Sequence, residues 1–230
     1  MNETRRVYVD GEWVEIIISN NNAVLLNAKA EGRAAVAVLG KNWADIDITS
    51  TPFAVECLED ITEEFLNEVA MRYKKIPIVR ADLGEIQLRE LSFEDYPEIC
   101  VQYQRSIEKE KHWLGEEIKC LLDEETFYAM VKFGYLQSEL GTWGIFHGDI
   151  CVGVASLSCV EEELELGYWI FSPYRRRGYA KKAIEGLISY KEKMNIEKSI
   201  CAKIFGDNLV SLHLAEEMGI FVKIVWDCEL

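Results

Sequence analysis

The stretch "SPYRRRGYAKKAIEGL", residues 172–187, places three consecutive arginines before a Gly-x-Ala turn in a chain whose formal net charge is −15. It follows the run "ELELGYWIF", which is typical of a strand. In the residues after the turn, the apolar side chains recur at helical spacing. The sequence therefore predicts that this turn joins the end of a strand to the start of a helix.

A strand-to-helix turn leaves the first backbone N–H groups of the helix without intrahelical partners, and the helix dipole adds partial positive charge there. Such a terminus is suited to binding phosphate groups. Gly178 permits dihedral angles that other residues avoid, Ala180 is small, and Arg175 attracts anions. We therefore expect a diphosphate cradle over residues 175–180, with a merely solvated basic turn as the alternative.

The pattern of residues 85–230 predicts a strand, two helical stretches, three antiparallel-type strands, and then helix, strand, helix and strand. The stretches that carry this order are "EIQLREL", "FEDYPEICVQYQRS", "HWLGEEIKCLLDEETFYAMVKFGYL", "TWGIFHGDICVGVASLS", "ELELGYWIF", "RGYAKKAIEGLISYKEKM", "KSICAKIF", "NLVSLHLAEEMG" and "IFVKIVWDCEL". A turn at Gly148 and Asp149 is expected to divide the fourth stretch into two strands.

The segment "ELELGYWIFSPYRRRGYAKKAIEGLISY", followed by "NLVSLHLAEEMGI", resembles the GNAT superfamily of acetyl-CoA-dependent N-acyltransferases. It is most similar to the branch of ribosomal-protein N-terminal alanine acetyltransferases. That branch has a strand reading E-x-G-Y-W-I, a proline turn, R/Q-x-x-G-x-G/A, and later N-x-x-S at a helix start. The resemblance covers residues 85–230. It implies the GNAT fold, of α/β (α+β) class, with a mixed and mostly antiparallel central sheet flanked by helices.

The resemblance also implies a binding site for acetyl-CoA. Backbone groups at the end of one strand would bind the pantetheine arm, which would lie in a gap between splayed strands. The basic turn would hold the pyrophosphate. The asparagine of the N-x-x-S motif would contact the pantetheine arm, and its serine would support that part of the site. The residues implied are Trp169, Ile170, Phe171, Arg175, Arg176, Arg177, Gly178, Tyr179, Ala180, Asn208 and Ser211. A plain helix N-cap is the simpler interpretation of Asn208. Arg176, Arg177, Lys181 and Lys182 would either meet the adenosine phosphate or be solvated.

Acetyl transfer to an amine needs a general base, because a protonated amine has no lone pair. Glu165 is the candidate: it lies two residues before Gly167, where the branch often carries a glutamate. Strand alternation places Glu163 on the same face. The alternative is that both carboxylates simply face solvent.

The general acid is not identified by the sequence. Many GNAT enzymes carry a tyrosine seven residues after the asparagine, and that position is Ala215 here. His147 and His213 are acid–base candidates by residue type, although histidines at a strand end or on a helix face are usually incidental. We expect Tyr168, Tyr174 and Tyr179 to be structural.

Residues 1–80 predict a small three-layer α/β domain. "RRVYVDGEWVEIIIS" reads as a hairpin turning at Asp10 and Gly11, and it is followed by a helix that ends at Gly32, two strands and the helical stretch "ITEEFLNEVAMRYKKI". The segment resembles the terminal part of a haloacid-dehalogenase-like Rossmann unit, but it lacks that family's D-x-D pair. It is therefore interpreted as a degenerate, non-catalytic accessory domain, separated by a polar seam near residues 77–85.

Composition limits the remaining function classes. With 25 basic and 40 acidic residues, nonspecific nucleic-acid binding is not expected. No signal peptide or membrane span is predicted, because the N-terminus lacks an apolar core and no apolar run is long enough. The seven cysteines have no C-x-x-C pair, and the three histidines are scattered. These features predict mostly buried, reduced thiols in a cytoplasmic protein and no metal site.

The function expected from these observations is transfer of an acetyl group from acetyl-CoA to a primary amine, by direct attack in a ternary complex. The acceptor stays open among a peptide N-terminus, a polyamine and an amino sugar, and a homodimer is one expected assembly. The alternative is a non-catalytic acyl-CoA sensor or interaction protein, which would keep the cradle and lose the base.

Overall fold

The computed structural model describes residues 2–40, 46–110 and 113–226. The chain divides into two compact units, Met1–Ile78 and Val79–Leu230. Across the described residues, no helix combines the length and the apolar character that crossing a membrane requires.

The first unit is built on a four-stranded sheet of order β1-β2-β3-β4. Its elements are β1 (Asn2–Val9), β2 (Glu12–Ser19), α1 (Asn22–Ala30), β3 (Ala34–Val38), β4 (Ala54–Val55) and α2 (Glu63–Tyr73). β1 and β2 are antiparallel, and the other two pairs are parallel. The hairpin turn has φ of 51° at Asp10 and 80° at Gly11, as the Asp-Gly signal predicts.

The two helices of this unit lie on opposite faces of its sheet. Ile16 and Ile18 of β2 pack with α2, whereas Ile17 between them packs with α1. Side chains alternate across a strand, so a continuous apolar run supplies both cores. The predicted three layers are therefore confirmed.

The second unit contains a seven-stranded sheet of order β11-β10-β9-β8-β7-β6-β5. Its strands are β5 (Val79–Asp82), β6 (Gln87–Arg89), β7 (Gly141–His147), β8 (Ile150–Val160), β9 (Glu163–Ile170), β10 (Ser199–Phe205) and β11 (Phe221–Val225). Pairing is antiparallel from β5 to β9 and parallel from β9 to β11. This sheet confirms the predicted fold class.

Two expectations for local structure were wrong. β5 lies within the stretch that we interpreted as a polar seam, because an edge strand with no buried residue carries little apolar signal. The second predicted helical stretch is broken into α4 (Glu116–Lys119), α5 (Glu124–Ala129) and α6 (Tyr135–Gln137), with a π-helical turn at Met130–Gly134.

The longer helices cover the two faces of the large sheet. They are α3 (Tyr96–Glu110), α7 (Tyr179–Lys193) and α8 (Leu209–Glu217). Leu164 and Leu166 of β9 face the core that includes α7, whereas Trp169 faces the core formed with α3 to α5. β9 is therefore covered on both sides, and its position within the sheet determines where the candidate site lies.

The cysteines differ from the prediction in part. The six that the structure describes are free thiols, but Cys57, Cys120 and Cys159 are exposed. Cys159 lies near the end of β8, where alternate residues of an apolar strand can face solvent. Cys57 and Cys120 lie at short 3-10 turns rather than in strands.

Candidate functional site

Strands β9 and β10 diverge halfway along their length. They pair in parallel at Glu163, Leu164 and Glu165, and the described pairing stops there. β9 nevertheless continues to Ile170, and β10 continues to Phe205 while pairing with β11 on its other side. A gap therefore opens in the sheet between these two neighbouring strands.

The hydrogen-bond register of β8 and β9 shows which backbone groups face this gap. Phe171 N–H donates to Val152 O at 3.0 Å, on the side of β8. Because such bonds alternate along an antiparallel pair, the backbone of Trp169 also faces β8, and the backbones of Tyr168 and Ile170 face the gap. Of the three residues implied by the resemblance, only Ile170 has this orientation. Tyr168 was missed, and strand parity was the signal that could have found it.

A cavity of about 210 Å³ lies where the strands diverge. Both strands line it, together with the start of α8 and the segment between α3 and α4. Gly167 forms part of the wall, and a Cβ atom there would approach Ser156 Oγ to 2.7 Å. A larger residue would therefore disturb the cavity.

The N-x-x-S motif lies at one end of the cavity, and both of its residues line it. Asn208 is the N-cap of α8, and its side chain accepts a hydrogen bond from Ser211 N at 3.2 Å. Tyr168 O–H donates to Ser211 Oγ at 3.1 Å, and burial raises the pKa of Tyr168. Since Ser211 Oγ accepts this bond, its own proton remains available for another acceptor.

The predicted cradle is a turn with two left-handed residues, at Arg176 (φ 60°) and Gly178 (φ 81°). Gly178 is the N-cap of α7 and provides no side-chain bond. Within the part of the chain that the structure describes, no group accepts a hydrogen bond from the N–H groups of residues 176–181. These amides are therefore available at one helix N-terminus, as a diphosphate site requires.

The basic side chains of residues 175–182 lie in different environments. Arg175 Nε donates to Ile170 O at 2.9 Å, so this guanidinium stabilises the end of β9. Arg177 contacts Pro173 O at 3.3 Å, and Arg176 is exposed. Lys181 pairs with Glu217 at 2.6 Å, and Lys182 pairs with Glu85.

Tyr179 and Ala180 begin α7 directly after the cradle. Tyr179 is buried, and its ring packs 5.7 Å from the ring of His147. Ala180 is half-buried. Both side chains therefore support the helix start from within the protein, whereas their amides lie in the predicted cradle.

Glu165 lines the cavity, and its side chain is 12% exposed. Lys203 of β10 pairs with it at 2.7 Å and is 47% exposed. Glu163 points to the same face, as predicted, but it pairs with Lys223 outside the cavity, and that lysine lowers the pKa of Glu163. The interpretation that both carboxylates simply face solvent is therefore wrong for Glu165.

The other acid–base candidates lie away from the cavity lining. Ala215, at the tyrosine position, is 3% exposed and packs in the core. His147 and His213 are exposed, and neither lines the cavity.

Lys203 and Trp113 also line the cavity, and sequence reasoning missed both. Lys203 could have been found as the charged residue within the apolar run "ICAKIF". Trp113 Nε1 donates to Asp207 Oδ1 at 2.9 Å, which connects the segment before α4 to the loop before α8. Nothing local in the sequence indicated that contact.

Comparison with known proteins identifies a family. The family described as "Acetyltransferase (GNAT) domain" matches residues 85–220. No curated protein sequence is similar enough to be matched to the chain.

Several solved structures share the fold at low identity. The microcin C7 self-immunity acetyltransferase MccE, in complex with acetyl-CoA and AMP, is 16% identical with a TM-score of 0.50, covering 59% of this chain and 78% of that one. RimL, the ribosomal L7/L12 α-N-protein acetyltransferase in complex with coenzyme A, is 16% identical with a TM-score of 0.51, covering 61% and 82%. Ribosomal-protein-S5-alanine acetyltransferase from Vibrio fischeri is 16% identical with a TM-score of 0.50, covering 63% and 82%.

Proposed function

The chain belongs to the GNAT acetyltransferase family and uses acetyl-CoA, and on that premise we propose that it acetylates a primary amine held against Glu165. The observation that carries this proposal is the gap between β9 and β10, which places that carboxylate in the same cavity as Ser211. The acceptor enters a ternary complex and attacks the acetyl group directly.

The residues present fit the cofactor. The unbonded amides of residues 176–181 would hold its diphosphate. The backbone of Tyr168 and the N–H of Ile170 would hydrogen-bond its pantetheine arm in the gap, since Ile170 O already accepts from Arg175. Asn208 and Ser211 would close the inner corner of the site. The cradle therefore consists of Arg176 together with the amides of Arg177, Gly178, Tyr179 and Ala180. Bound in this way, acetyl-CoA supplies the acetyl group as a thioester.

Glu165 acts as the general base. Its carboxylate takes a proton from the acceptor nitrogen, which then has the lone pair that bonds to the acetyl carbon. Ser211 Oγ lines the same cavity and keeps its own proton, so it would donate a hydrogen bond that stabilises negative charge on the departing sulfur. This hydrogen bond would assist the departing thiolate at a site where the tyrosine position is Ala215.

Thiol release from acetyl-CoA tests the proposal with a panel that includes a peptide, a polyamine, an amino sugar and amino acids. RimL is named as an acetyltransferase of a ribosomal protein, which is why a peptide N-terminus belongs in the panel. Glu165→Gln should lower kcat by about 100-fold or more, because it removes the base. Glu163→Gln is the matched control on the same face, and it should leave kcat and the Kd of coenzyme A unchanged.

The outcome that contradicts the proposal is equally specific. Tight binding of coenzyme A without turnover of any amine would support an acyl-CoA sensor instead. Equal loss of activity in the two glutamate variants would exclude Glu165 as the base.

The roles of the remaining features are part of the same proposal. Residues 85–230 carry the acetyltransferase, and residues 1–80 form an accessory domain that serves an acceptor, a partner or a homodimer. The resemblance of that domain to a haloacid-dehalogenase-like unit and the cytoplasmic location stay predictions. Sedimentation analysis of the full chain, compared with a chain lacking residues 1–78, tests whether this domain assembles the protein.

A further inference from the structure

The exposed thiol of Cys159 lies against a lysine side chain. Lys198 Nζ is 2.9 Å from Cys159 Sγ, and it also donates to Glu161 O at 2.7 Å. The nitrogen–sulfur distance is less than the sum of the van der Waals radii of the two atoms. Because the turn carbonyl also binds the ammonium, two partners hold the nitrogen beside the sulfur.

The two residues belong to the strands on either side of β9. Cys159 lies near the end of β8, which pairs with β9 along its whole length. Lys198 directly precedes β10, whose first residue, Ser199, is aligned with Glu163 of β9. The described pairing of β9 with β10 covers only three residue pairs, starting there. The contact therefore lies at the closed end of the gap, next to the short ladder that joins these two strands.

Cys159 differs from the other exposed thiols in having an amine beside its sulfur. Cys57 Sγ donates to Asp60 Oδ2 at 3.1 Å, and this hydrogen bond raises the pKa of Cys57. Cys120 is exposed as well. Among the described residues, no lysine is bonded to the sulfur of Cys57 or Cys120. The environment of Cys159 therefore offers a reaction that these two cysteines lack.

We propose that mild oxidation by hydrogen peroxide links Cys159 to Lys198 through a sulfur–nitrogen bond. The sulfur attacks one peroxide oxygen, the O–O bond breaks, and a sulfenic acid and water are formed. The ammonium of Lys198 releases a proton to solvent, and the neutral amine then attacks the same sulfur. The S–O bond breaks, and the hydroxyl leaves as a second water with a proton from the nitrogen. Sulfenic acids condense with nitrogen in this way, and the sulfur carries the whole two-electron oxidation.

The first step prepares the second. The hydrogen bond to Cys159 is the largest cause of the raised pKa of Lys198. A sulfenic acid is neutral, so it stabilises the ammonium less than a thiolate does. The amine therefore releases its proton more readily once the sulfur has become electrophilic.

The link would join distant parts of the chain. Cys159 and Lys198 are 39 positions apart, and the segment between them contains β9 and α7. A covalent link across such a segment removes conformational entropy from the unfolded chain, so the Tm of the second unit should rise by about 5 °C or more. A dithiol reverses the link, because it reduces the S–N bond to thiol and amine and is itself oxidised to a disulfide.

Peptide mapping of the full chain, before and after treatment with hydrogen peroxide, tests the proposal. The intact mass alone is not sufficient, because a disulfide also loses two hydrogen atoms. The expected result is a pair of peptides joined through Cys159 and Lys198, with trypsin no longer cleaving after Lys198. Dithiothreitol should restore the separate peptides and the original Tm.

Variants separate the chemical role of the lysine from its charge. Lys198→Arg keeps the positive charge and removes the amine, so Cys159 should remain a sulfenic acid that dimedone labels. The parent chain should show little labelling at Cys159, because its lysine consumes that acid. Cys57→Ser is the matched control: it removes an exposed thiol that is bonded to a carboxylate, and it should form the link and gain Tm as the parent chain does.

Three results would overturn the proposal. One is equal dimedone labelling of Cys159 in the parent chain and in Lys198→Arg, because the lysine would then not react. Another is oxidation of Cys159 to a disulfide or a higher acid without any link to Lys198. The third is a gain in Tm on oxidation that is the same in the parent chain and in Lys198→Arg. None of them bears on acetyl transfer, which the thiol-release assay measures separately.

Discussion

Replacement of Gly178 by alanine separates backbone strain from cofactor binding. Gly178 has φ of 81°, and a Cβ atom built there meets no heavy atom within 4 Å. The cost of Gly178→Ala is therefore conformational rather than steric. An L-residue in the left-handed region costs about 1–2 kcal/mol, of which a smaller unfolded-state entropy recovers about half a kcal/mol or more. We expect a net loss near 1 kcal/mol, or about 2–4 °C in Tm for a chain of this size.

The effect on the cofactor should be larger than the effect on stability. The turn can relieve the strain only by rotating peptide units between residues 176 and 181, which are those whose amides are available. Loss of one amide bond to a charged phosphate corresponds to about 1.5–3 kcal/mol, so the Kd of coenzyme A should rise by about 10-fold or more. Isothermal titration calorimetry measures that Kd directly.

Gly219 provides the matched control. It has φ of 68°, an added Cβ atom meets nothing within 4 Å, and it follows the C-terminal end of α8. Gly219→Ala should lose similar stability and keep the Kd of coenzyme A. An unchanged Kd in Gly178→Ala, or an equal rise in both variants, would refute the assignment of the cradle.

Two further predictions concern the hydroxyl pair and the outer ion pair. Tyr168→Phe removes the O–H that donates to Ser211 Oγ, a neutral hydrogen bond that orients the serine. We expect kcat, measured in steady state, to fall by about 3- to 10-fold, and the Kd of coenzyme A, measured by calorimetry, to change little. Weaker binding of coenzyme A with a normal kcat would contradict this role. Lys223 holds the pKa of Glu163 below its ordinary value of 4.5. A carboxylate with a lowered pKa stabilises the folded state at pH values above its ordinary pKa, and this stabilisation is lost as the pH falls below that value. Thermal unfolding measured from neutral to acid pH should therefore show a smaller loss of stability in acid for Lys223→Gln than for the unsubstituted chain. Parallel curves would disprove the linkage.

Local signals predicted most of the fold. The Asp10-Gly11 hairpin, the turn at Gly148 and the left-handed Gly178 all have the conformations that their residue types favour. Each is determined by steric limits within a few residues, so the local sequence is sufficient. β5 escaped detection because a short, partly exposed edge strand has almost no pattern of its own.

The candidate site was only partly predictable. Glu165 was proposed because the family that the chain resembles often carries a glutamate two residues before this glycine, and residues 175–180 were proposed from the turn. Of these, the Arg175 N–H instead donates to Ser172 O at 3.5 Å. The sequence did not indicate that Lys203 would pair with Glu165, or that Tyr168 rather than Phe171 would present its backbone to the gap. Both features depend on how neighbouring strands are aligned with each other, and the sequence of one strand does not specify that alignment.

The amino-acid sequence by itself determined the order of the elements, the strand-to-helix turn and the identity of its basic residues. These properties follow from side-chain periodicity and from the dihedral freedom of individual residues. The tertiary structure alone decided where β9 and β10 separate, and therefore which carboxylate lines a cavity and which lysine it meets. The physical reason is that a gap in a sheet results from the competition of neighbouring strands for hydrogen bonds, and that competition is settled only when all the strands are in place.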